Sequence, residues 1–145
     1  MNQPLVLKYT VPGDDFTRAG EASGGVKKTL KQLGFPAEVI RKVAIALYEG
    51  EINMVIHAGG GWITVEILPE KIDMILEDHG PGIEDIGLAM RAGYSTAPDQ
   101  VRDLGFGAGM GLPNMEKYSD DFEIESTVGA GTKVHMQVYN GKITS

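Results

Sequence analysis

The sequence contains no cysteine among its 145 residues. This absence excludes disulfides, thiolate metal sites and a cysteine nucleophile, and it favours the cell interior as the compartment. Long apolar runs are also lacking: no stretch reaches the ~18 residues of a membrane span, and Met1 to Val11 lacks the pattern of a signal peptide. We therefore predict a soluble, unprocessed, cytoplasmic protein that does not contact a membrane.

Positive charge is scarce, because 13 lysines and arginines stand against 20 aspartates and glutamates and the formal net charge is -7. Binding to nucleic acid needs clustered basic residues that neutralise phosphates, so a direct nucleic-acid surface is not expected. The length fits one domain over residues 1–145. Glycine is in excess, with 20 residues, about twice its usual share of ~7%.

The hydrophobic pattern predicts an α+β fold, a two-layer α/β sandwich with helices on one face of a mixed, mostly antiparallel sheet. A strand over 5–11 precedes a helix that is capped by Asp14 or Asp15 and runs towards Leu33. The longest helix extends from about Pro36 to Ala58. The remaining predictions are strands at 62–68 and 71–77, a short helix at 84–92, a glycine-rich loop at 93–109, a helix at 110–119, and strands at 122–128 and 133–139.

Two polar residues on the long helix, Glu49 and Asn53, lie one turn apart and fall within an arc of about 100° with Ile45, Ile52 and Ile56. We predict that this carboxylate and this amide occupy a buried apolar face, where charge is costly unless a ligand or partner uses it. An amide oxygen suits Mg²⁺, and a carboxylate one turn earlier suits a general base. Taken alone, the pair would also fit an exposed helix edge.

Asp78 ends an apolar strand and is followed by Gly80 and Gly82, so its side chain can project beside an open backbone. A carboxylate at this position can accept a hydrogen bond from an exocyclic amine such as that of adenine. Taken alone, Asp-X-Gly is also a common turn sequence. His79, between them, is interpreted as a structural residue.

Glycine dominates the segment 105–111, in which every second residue is glycine. Such a backbone can approach phosphates closely, and a helix beginning near Gly109 would point its N-terminal amides at them. The spacing matches neither Walker A nor G-x-G-x-x-G. We predict a flexible lid over the phosphates of a nucleotide, with a plain linker as the alternative.

Together these boxes resemble the GHKL superfamily of Bergerat-fold, histidine-kinase-like ATPases, over residues 36–138. Glu49-x-x-x-Asn53 resembles the N-box and Asp78-x-Gly80-x-Gly82 the first glycine box of that family. The segment 105–111 is similar to its second glycine box, and Gly129-x-Gly131-Thr132 to its closing box. Within the superfamily, the chain is most similar to the small anti-sigma and switch kinases of the RsbW and RsbT types, through the segments 80–83, 93–96, 111–113 and 122–126.

The resemblance implies a role for each matched residue. Glu49 would be the catalytic base, Asn53 would bind Mg²⁺, and Asp78 would read adenine with Thr132 nearby. Arg102, just before the lid, is a further candidate for contact with the γ-phosphate, the alternative being an exposed charge. The nucleotide-binding residues implied are Asn53, Asp78, Gly80, Gly82, Gly105, Gly107, Gly109, Met110, Gly111 and Thr132.

The function implied by the resemblance is a bacterial serine/threonine protein kinase in transcription control, which transfers the γ-phosphate of ATP, with Mg²⁺, to a STAS-domain antagonist and also acts by binding. A sigma factor or a phosphatase is a further candidate partner, and the resemblance allows a homodimer. One alternative is a nucleotide-gated anti-sigma binding module with little or no kinase turnover. ATP hydrolysis for mechanical work is disfavoured, because the chain has no room for a coupling domain.

Overall fold

The computed structural model describes residues 4–13, 18–90 and 111–141. Its elements, in chain order, are β1 (Leu5–Pro12), α1 (Glu21–Gln32), α2 (Ala37–Asn53), a π-helical turn (Met54–Ala58), β2 (Gly60–Ile67), β3 (Lys71–Asp78), α3 (Ile86–Ala89), α4 (Gly111–Lys117), β4 (Asp121–Thr127) and β5 (Gly131–Tyr139). Among the described residues, no helix is both long and apolar enough to cross a membrane.

The five strands form one sheet in the order β1-β2-β3-β5-β4, and each neighbouring pair is antiparallel. Side chains alternate between the two faces of a strand. In β2, Ile63, Val65 and Ile67 are buried, whereas Trp62 is exposed. The helices therefore cover one face, and the predicted two-layer α/β sandwich is confirmed, with a wholly antiparallel sheet in the described part.

The core lies between the sheet and the helices as one cluster of apolar side chains. α2 is central in the helical layer, because it packs against α1 and α4 and also contacts β3 and β5. The large side chains that are fully buried are Val26, Leu30, Val43, Leu47, Ile63, Val65, Ile72, Met74, Met115, Met136 and Val138.

α2 directs one side to this core and leaves the side with Glu49 and Asn53 half-buried. Its buried residues include Val43, Leu47 and Gly50. The prediction that Glu49 and Asn53 lie in a buried face is therefore wrong in degree, since both side chains keep access to solvent. The helix is apolar on two sides, and packing on the sheet decided which side became the core.

Gly50 explains how α2 comes so close to its neighbours. A Cβ atom at this position would collide with Cδ2 of Leu76 in β3 and would lie 3.1 Å from Sδ of Met115 in α4. Glycine inside a helix costs about 1 kcal/mol relative to alanine. Here the missing side chain allows the close contact among three elements.

α1 begins later than predicted. It starts at Glu21, directly after Gly20, whose φ of 103° lies in the left-handed region that favours glycine. Asp14 and Asp15 lie outside the described residues. Because the helix cannot continue backwards through Gly20, the prediction of a cap at either aspartate is wrong.

The N-terminus of α1 is instead capped by Glu51, which belongs to α2. The Glu51 carboxylate accepts hydrogen bonds from the backbone N–H groups of Gly20 at 2.9 Å, Ala22 at 3.1 Å and Ser23 at 3.1 Å. The first N–H groups of a helix have no partner within the helix, and negative charge is favourable there. A buried carboxylate, 2% exposed, therefore holds α1 against α2.

Candidate functional site

Glu49 lies on the side of α2 that faces α4. Its Oε2 atom accepts a hydrogen bond of 2.6 Å from the side-chain amide Nδ2 of Asn114. Both side chains are half-buried, and Oε1 has no hydrogen-bond partner among the described residues. An amide donor from a neighbouring helix therefore orients the carboxylate and leaves one of its oxygens available as a base.

Asn114 was not identified from the sequence. It lies one turn after Gly111, on the helix that follows the second glycine cluster. The available signal was an amide in the first turn of that helix. Its contact with Glu49, 65 residues away in the chain, depends on the packing of α2 against α4.

Asn53 is the last α-helical residue of α2, before the π-helical turn Met54–Ala58. A Cβ atom built on Gly111 would lie 3.8 Å from Oδ1 of Asn53, so the start of α4 lies beside this amide oxygen. Mg²⁺ prefers such oxygen ligands and keeps several positions for phosphates and water, so the residue fits the ion. Among the described residues there is no group of three or more His, Asp or Glu side chains that could hold a metal.

The predicted lid is represented by one residue, Gly111, at which α4 begins. The predicted start of this helix, residue 110, lies outside the described residues. The other predicted residues of this segment lie outside the described part of the chain: Arg102, Gly105, Gly107, Gly109 and Met110.

A row of three polar side chains crosses the end of the sheet on its helix-covered face. Asp78 of β3 is paired with Thr132 of β5, which is paired with Ser126 of β4. Oδ1 of Asp78 accepts hydrogen bonds from the backbone N–H groups of Gly80 at 2.9 Å and Thr132 at 3.2 Å. These two bonds orient the carboxylate, and Oδ2 has no hydrogen-bond partner within the described residues.

Ser126 connects this row to the first glycine box. Its Oγ atom accepts a hydrogen bond from the backbone N–H of Ile83 at 2.8 Å, and it lies 3.1 Å from the carbonyl oxygen of Gly131 and 2.8 Å from Oγ1 of Thr132. Thr132 was identified from the sequence, whereas Ser126 was missed. The register of the β4–β5 hairpin across its glycine-rich turn was the signal that could have found it.

Gly80 and Gly82 are required by close contacts. A Cβ atom on Gly80 would lie 2.7 Å from Cα of Ala58, the last residue of the π-helical turn. Gly82 has a φ of 81°, and a Cβ atom there would collide with the carbonyl oxygen of Thr127. The first glycine box is thus wedged between the end of the long helical segment, which carries Asn53, and the β4–β5 turn.

Two histidines lie near these residues. His57 belongs to the π-helical turn, and burial lowers the pKa of its imidazole from the usual 6.5. His79 makes an edge-to-face contact with Trp62, with ring centroids 5.1 Å apart. The rings of His79 and Trp62 border a cavity of about 430 Å³, which is otherwise lined by the end of β1, by Ala58 and Gly59, and by the start of β2. None of the predicted site residues that the structure describes lines this cavity.

The structure thus brings the described site residues into two groups. Where α2 meets α4 lie Glu49, Asn53 and Gly111, with Asn114 added. At the end of the sheet lie Asp78, Gly80, Gly82 and Thr132, with Ser126 added. Gly80 of the second group packs on Ala58 at the end of the π-helical turn that follows Asn53, so the two groups belong to elements that are in contact.

Comparison with known proteins gives a consistent result. A family model described as "Histidine kinase-like ATPase domain" matches residues 14–138. The serine/threonine-protein kinase RsbT of Bacillus subtilis is 32% identical over 112 residues, which cover 74% of this chain and 78% of RsbT. The anti-sigma F factor of Caldanaerobacter subterraneus is 38% identical over 116 residues, which cover 77% of this chain and 78% of that protein.

Solved structures support the fold. The RsbU and RsbW domains of a Mycobacterium tuberculosis protein match 92% of this chain with a TM-score of 0.62 at 16% identity, and this chain spans 32% of that longer chain. The mycobacterial sensor histidine kinase MprB matches with a TM-score of 0.52 at 14% identity, over 99% of this chain and 100% of that chain. The resemblance stated from the sequence is confirmed. The chain belongs to the histidine kinase-like ATPase family, in the group that contains serine/threonine-protein kinases and anti-sigma factors.

Proposed function

We propose that the chain is an ATP-binding serine/threonine protein kinase of the anti-sigma or switch-kinase type, acting in the bacterial cytoplasm as one domain over residues 1–145. The observation that carries the proposal is the hydrogen bond from Asn114 to Glu49. It orients a carboxylate one helical turn before Asn53, whose amide oxygen suits Mg²⁺. If Glu49 and Asn53 were only an i,i+4 pair at an exposed helix edge, the carboxylate would not need an amide from another helix to hold it.

Glu49 acts as the general base in this proposal. The hydroxyl oxygen of the substrate serine or threonine forms a bond to the γ-phosphorus, and the bond between that phosphorus and the β,γ-bridging oxygen breaks. The hydroxyl proton passes to the Glu49 carboxylate, and ADP leaves. The hydrogen bond on Oε2 leaves Oε1 to take that proton.

Asn53 and the second glycine cluster hold the phosphates. Oδ1 of Asn53 would hold Mg²⁺, and the bound ion would neutralise negative charge on the phosphates. The residues proposed to bind the phosphates are Gly105, Gly107, Gly109, Met110 and Gly111, of which the structure describes Gly111. The position of Gly111 beside Oδ1 of Asn53 supports this assignment.

Asp78 reads the adenine base. Its Oδ1 atom is occupied by two backbone N–H groups, so Oδ2 accepts the hydrogen bond from the 6-amino group of adenine. Gly80 and Gly82 leave room for the base next to the backbone. Thr132 completes this edge of the site, since it is paired with Asp78 in the sheet.

The partner that receives the phosphate is a STAS-domain antagonist protein, and the chain also regulates a partner by binding it. The further partner is a sigma factor or a phosphatase. The proposal also allows two copies of the chain to form a homodimer. A second candidate function is a nucleotide-gated anti-sigma binding module with little or no turnover. Relatives that are named anti-sigma F factor, at 36% to 38% identity, favour it.

The test is transfer of labelled γ-phosphate from Mg²⁺-ATP to STAS-domain proteins encoded in the same genome. Wild type should label a serine or threonine of a STAS-domain protein. Glu49→Gln should lower the transfer rate by a factor of about 10² to 10⁴, the usual contribution of a general base. Glutamine can still accept the hydrogen bond from Asn114, so ATP affinity should be retained. Glu123→Gln, at an exposed position of β4, is the matched control and should transfer at the wild-type rate.

Each result separates the candidates. Equal labelling by wild type and Glu49→Gln would exclude Glu49 as the base. ATP binding without transfer to any STAS-domain protein would favour the binding module. Absence of ATP binding by the folded wild-type chain would refute both candidate functions.

A further inference from the structure

The hydroxyl group of Ser126 has three close partners, and their chemistry determines where its proton goes. The partners are the backbone N–H of Ile83 at 2.8 Å, the carbonyl oxygen of Gly131 at 3.1 Å and the hydroxyl of Thr132 at 2.8 Å. A hydroxyl group donates one proton and accepts two hydrogen bonds. All three contacts are hydrogen bonds at once only if Ser126 donates to Gly131 and accepts from both Ile83 and Thr132.

The opposite arrangement leaves one contact unfavourable. If Ser126 donated to Thr132, its oxygen would face the carbonyl oxygen of Gly131 at 3.1 Å with no proton between them. Two acceptors at that distance repel each other. In the arrangement that satisfies all three contacts, the Thr132 hydroxyl therefore donates its hydrogen bond to Oγ of Ser126.

This hydrogen bond from Thr132 determines which donors and acceptors remain for a ligand at the end of the sheet. The backbone N–H of Thr132 is already donated to Oδ1 of Asp78, and the same oxygen accepts from Gly80. The groups that remain are Oγ1 of Thr132 and Oδ2 of Asp78. Both of them can only accept hydrogen bonds.

We infer that Ser126 is a specificity-determining residue, which keeps this edge free of donors and so selects 6-aminopurine over 6-oxopurine nucleotides. The inference rests on the proposed function, in which Asp78 reads the base. A 6-amino group brings N–H donors to this edge, whereas a 6-oxo group brings only lone pairs towards Asp78 and Thr132. Ser126 acts through Thr132 and is a positioning residue, since it does not itself touch the nucleotide.

The test compares the affinities of the full chain for ATP and for ITP, which carry an amino and an oxo group at position 6, by calorimetry in the presence of Mg²⁺. Ser126→Ala frees the Thr132 proton to turn towards the base and donate to a 6-oxo group. The preference for ATP over ITP should then fall about tenfold, the usual worth of one hydrogen bond of this kind. Loss of the hydrogen bond from Ile83 lowers the affinity for ATP and for ITP alike, so it leaves the ratio of the two affinities unchanged.

Two further variants distinguish this role from a purely structural one. Thr132→Val removes the hydroxyl through which Ser126 acts, so adding Ser126→Ala to that variant should leave the ratio unchanged. Ser119→Ala is the matched control, because the Ser119 hydroxyl donates to the carbonyl of Met115 within α4 and the following turn. Its ratio should equal that of wild type.

Three results would overturn the inference. They are a wild type that binds ITP as tightly as ATP, an unchanged ratio in a folded Ser126→Ala variant, and a change of ratio that persists when Thr132 is replaced by valine. In each case ATP still binds, so the proposed function stands. A folded wild type that binds neither nucleotide would instead refute the proposed function itself.

Discussion

Replacing Glu51 by glutamine should destabilise the protein strongly without removing a residue of the proposed site. The Glu51 carboxylate is 2% exposed and accepts three backbone N–H groups at the start of α1. Oε2 accepts two of these bonds and Oε1 accepts the third, from Ser23. Glutamine has the same shape, but one of its two terminal groups is a donor.

The magnitude follows from this change in donors. One buried N–H group would face the new amide donor and stay unpaired, at a cost of about 1–3 kcal/mol. The other two hydrogen bonds lose their charge assistance, which amounts to roughly 0.5–1 kcal/mol each. The sum is about 3 kcal/mol, a large share of the ~5–15 kcal/mol by which a domain is stable.

Thermal unfolding followed by circular dichroism measures this effect. For a chain of this size, 1 kcal/mol corresponds to roughly 2–4 °C, so the unfolding temperature of Glu51→Gln should fall by about 6–12 °C. Glu49→Gln lies two residues earlier on the same helix, yet it should shift the unfolding temperature little, because its one hydrogen bond from Asn114 is kept. Glu123→Gln, exposed in β4, should not shift it.

The two α2 variants should also separate in phosphotransfer. At a temperature where it is fully folded, Glu51→Gln should transfer phosphate at about the wild-type rate, whereas the rate of Glu49→Gln should be lower by a factor of about 10² to 10⁴. An unfolding temperature of Glu51→Gln equal to that of Glu123→Gln would refute the assignment of Glu51 as the cap of α1. An equal fall in unfolding temperature for Glu51→Gln and Glu49→Gln would refute that assignment as well.

Three further changes test other contacts. Gly50→Ala should lower the free energy of unfolding by about 1 kcal/mol in urea titrations, because the clash with Leu76 outweighs the gain in helix propensity; a rise would contradict this packing. Asn114→Ala should lower the transfer rate about tenfold at unchanged ATP affinity, because Glu49 loses its orientation; an unchanged rate would exclude that role. Burial lowers the pKa of His57, so the unfolded chain takes up this proton first and stability falls as the pH drops below about 6.5. His57→Gln should therefore show a smaller loss of unfolding free energy than wild type between pH 7.5 and 5.5, and an equal loss would contradict burial as the cause.

The strands and the long helix could be predicted because their signals are local. Alternation in β2 and β3 and the apolar period of α2 are read within a few residues, and the observed strand ends lie within about two positions of the predicted ones. α2 ends at Asn53, and the helical segment reaches the predicted end at Ala58 only through the π-helical turn. The start of α1 could not be predicted in this way. Its cap is the side chain of Glu51, which is 28 residues or more away along the chain.

The candidate site divides in the same manner. Glu49, Asn53 and Asp78 were recognisable because their spacing to one another and to glycine is a property of the chain. Asn114 and Ser126 were missed because each acts on another side chain across a contact between elements. A residue that orients another residue leaves no fixed spacing in the sequence.

The sequence by itself determined the family, the order of the strands and helices along the chain, and which side chains are candidates for binding a nucleotide, because all of these depend on local periodicity and on the spacing of motifs. Only the tertiary structure decided which face of α2 is buried, which acid caps α1, and which oxygens of Glu49 and Asp78 remain available. The physical reason is that these outcomes depend on hydrogen bonds and close contacts between elements. Such contacts exist only after α2 has packed against the sheet, α1 and α4.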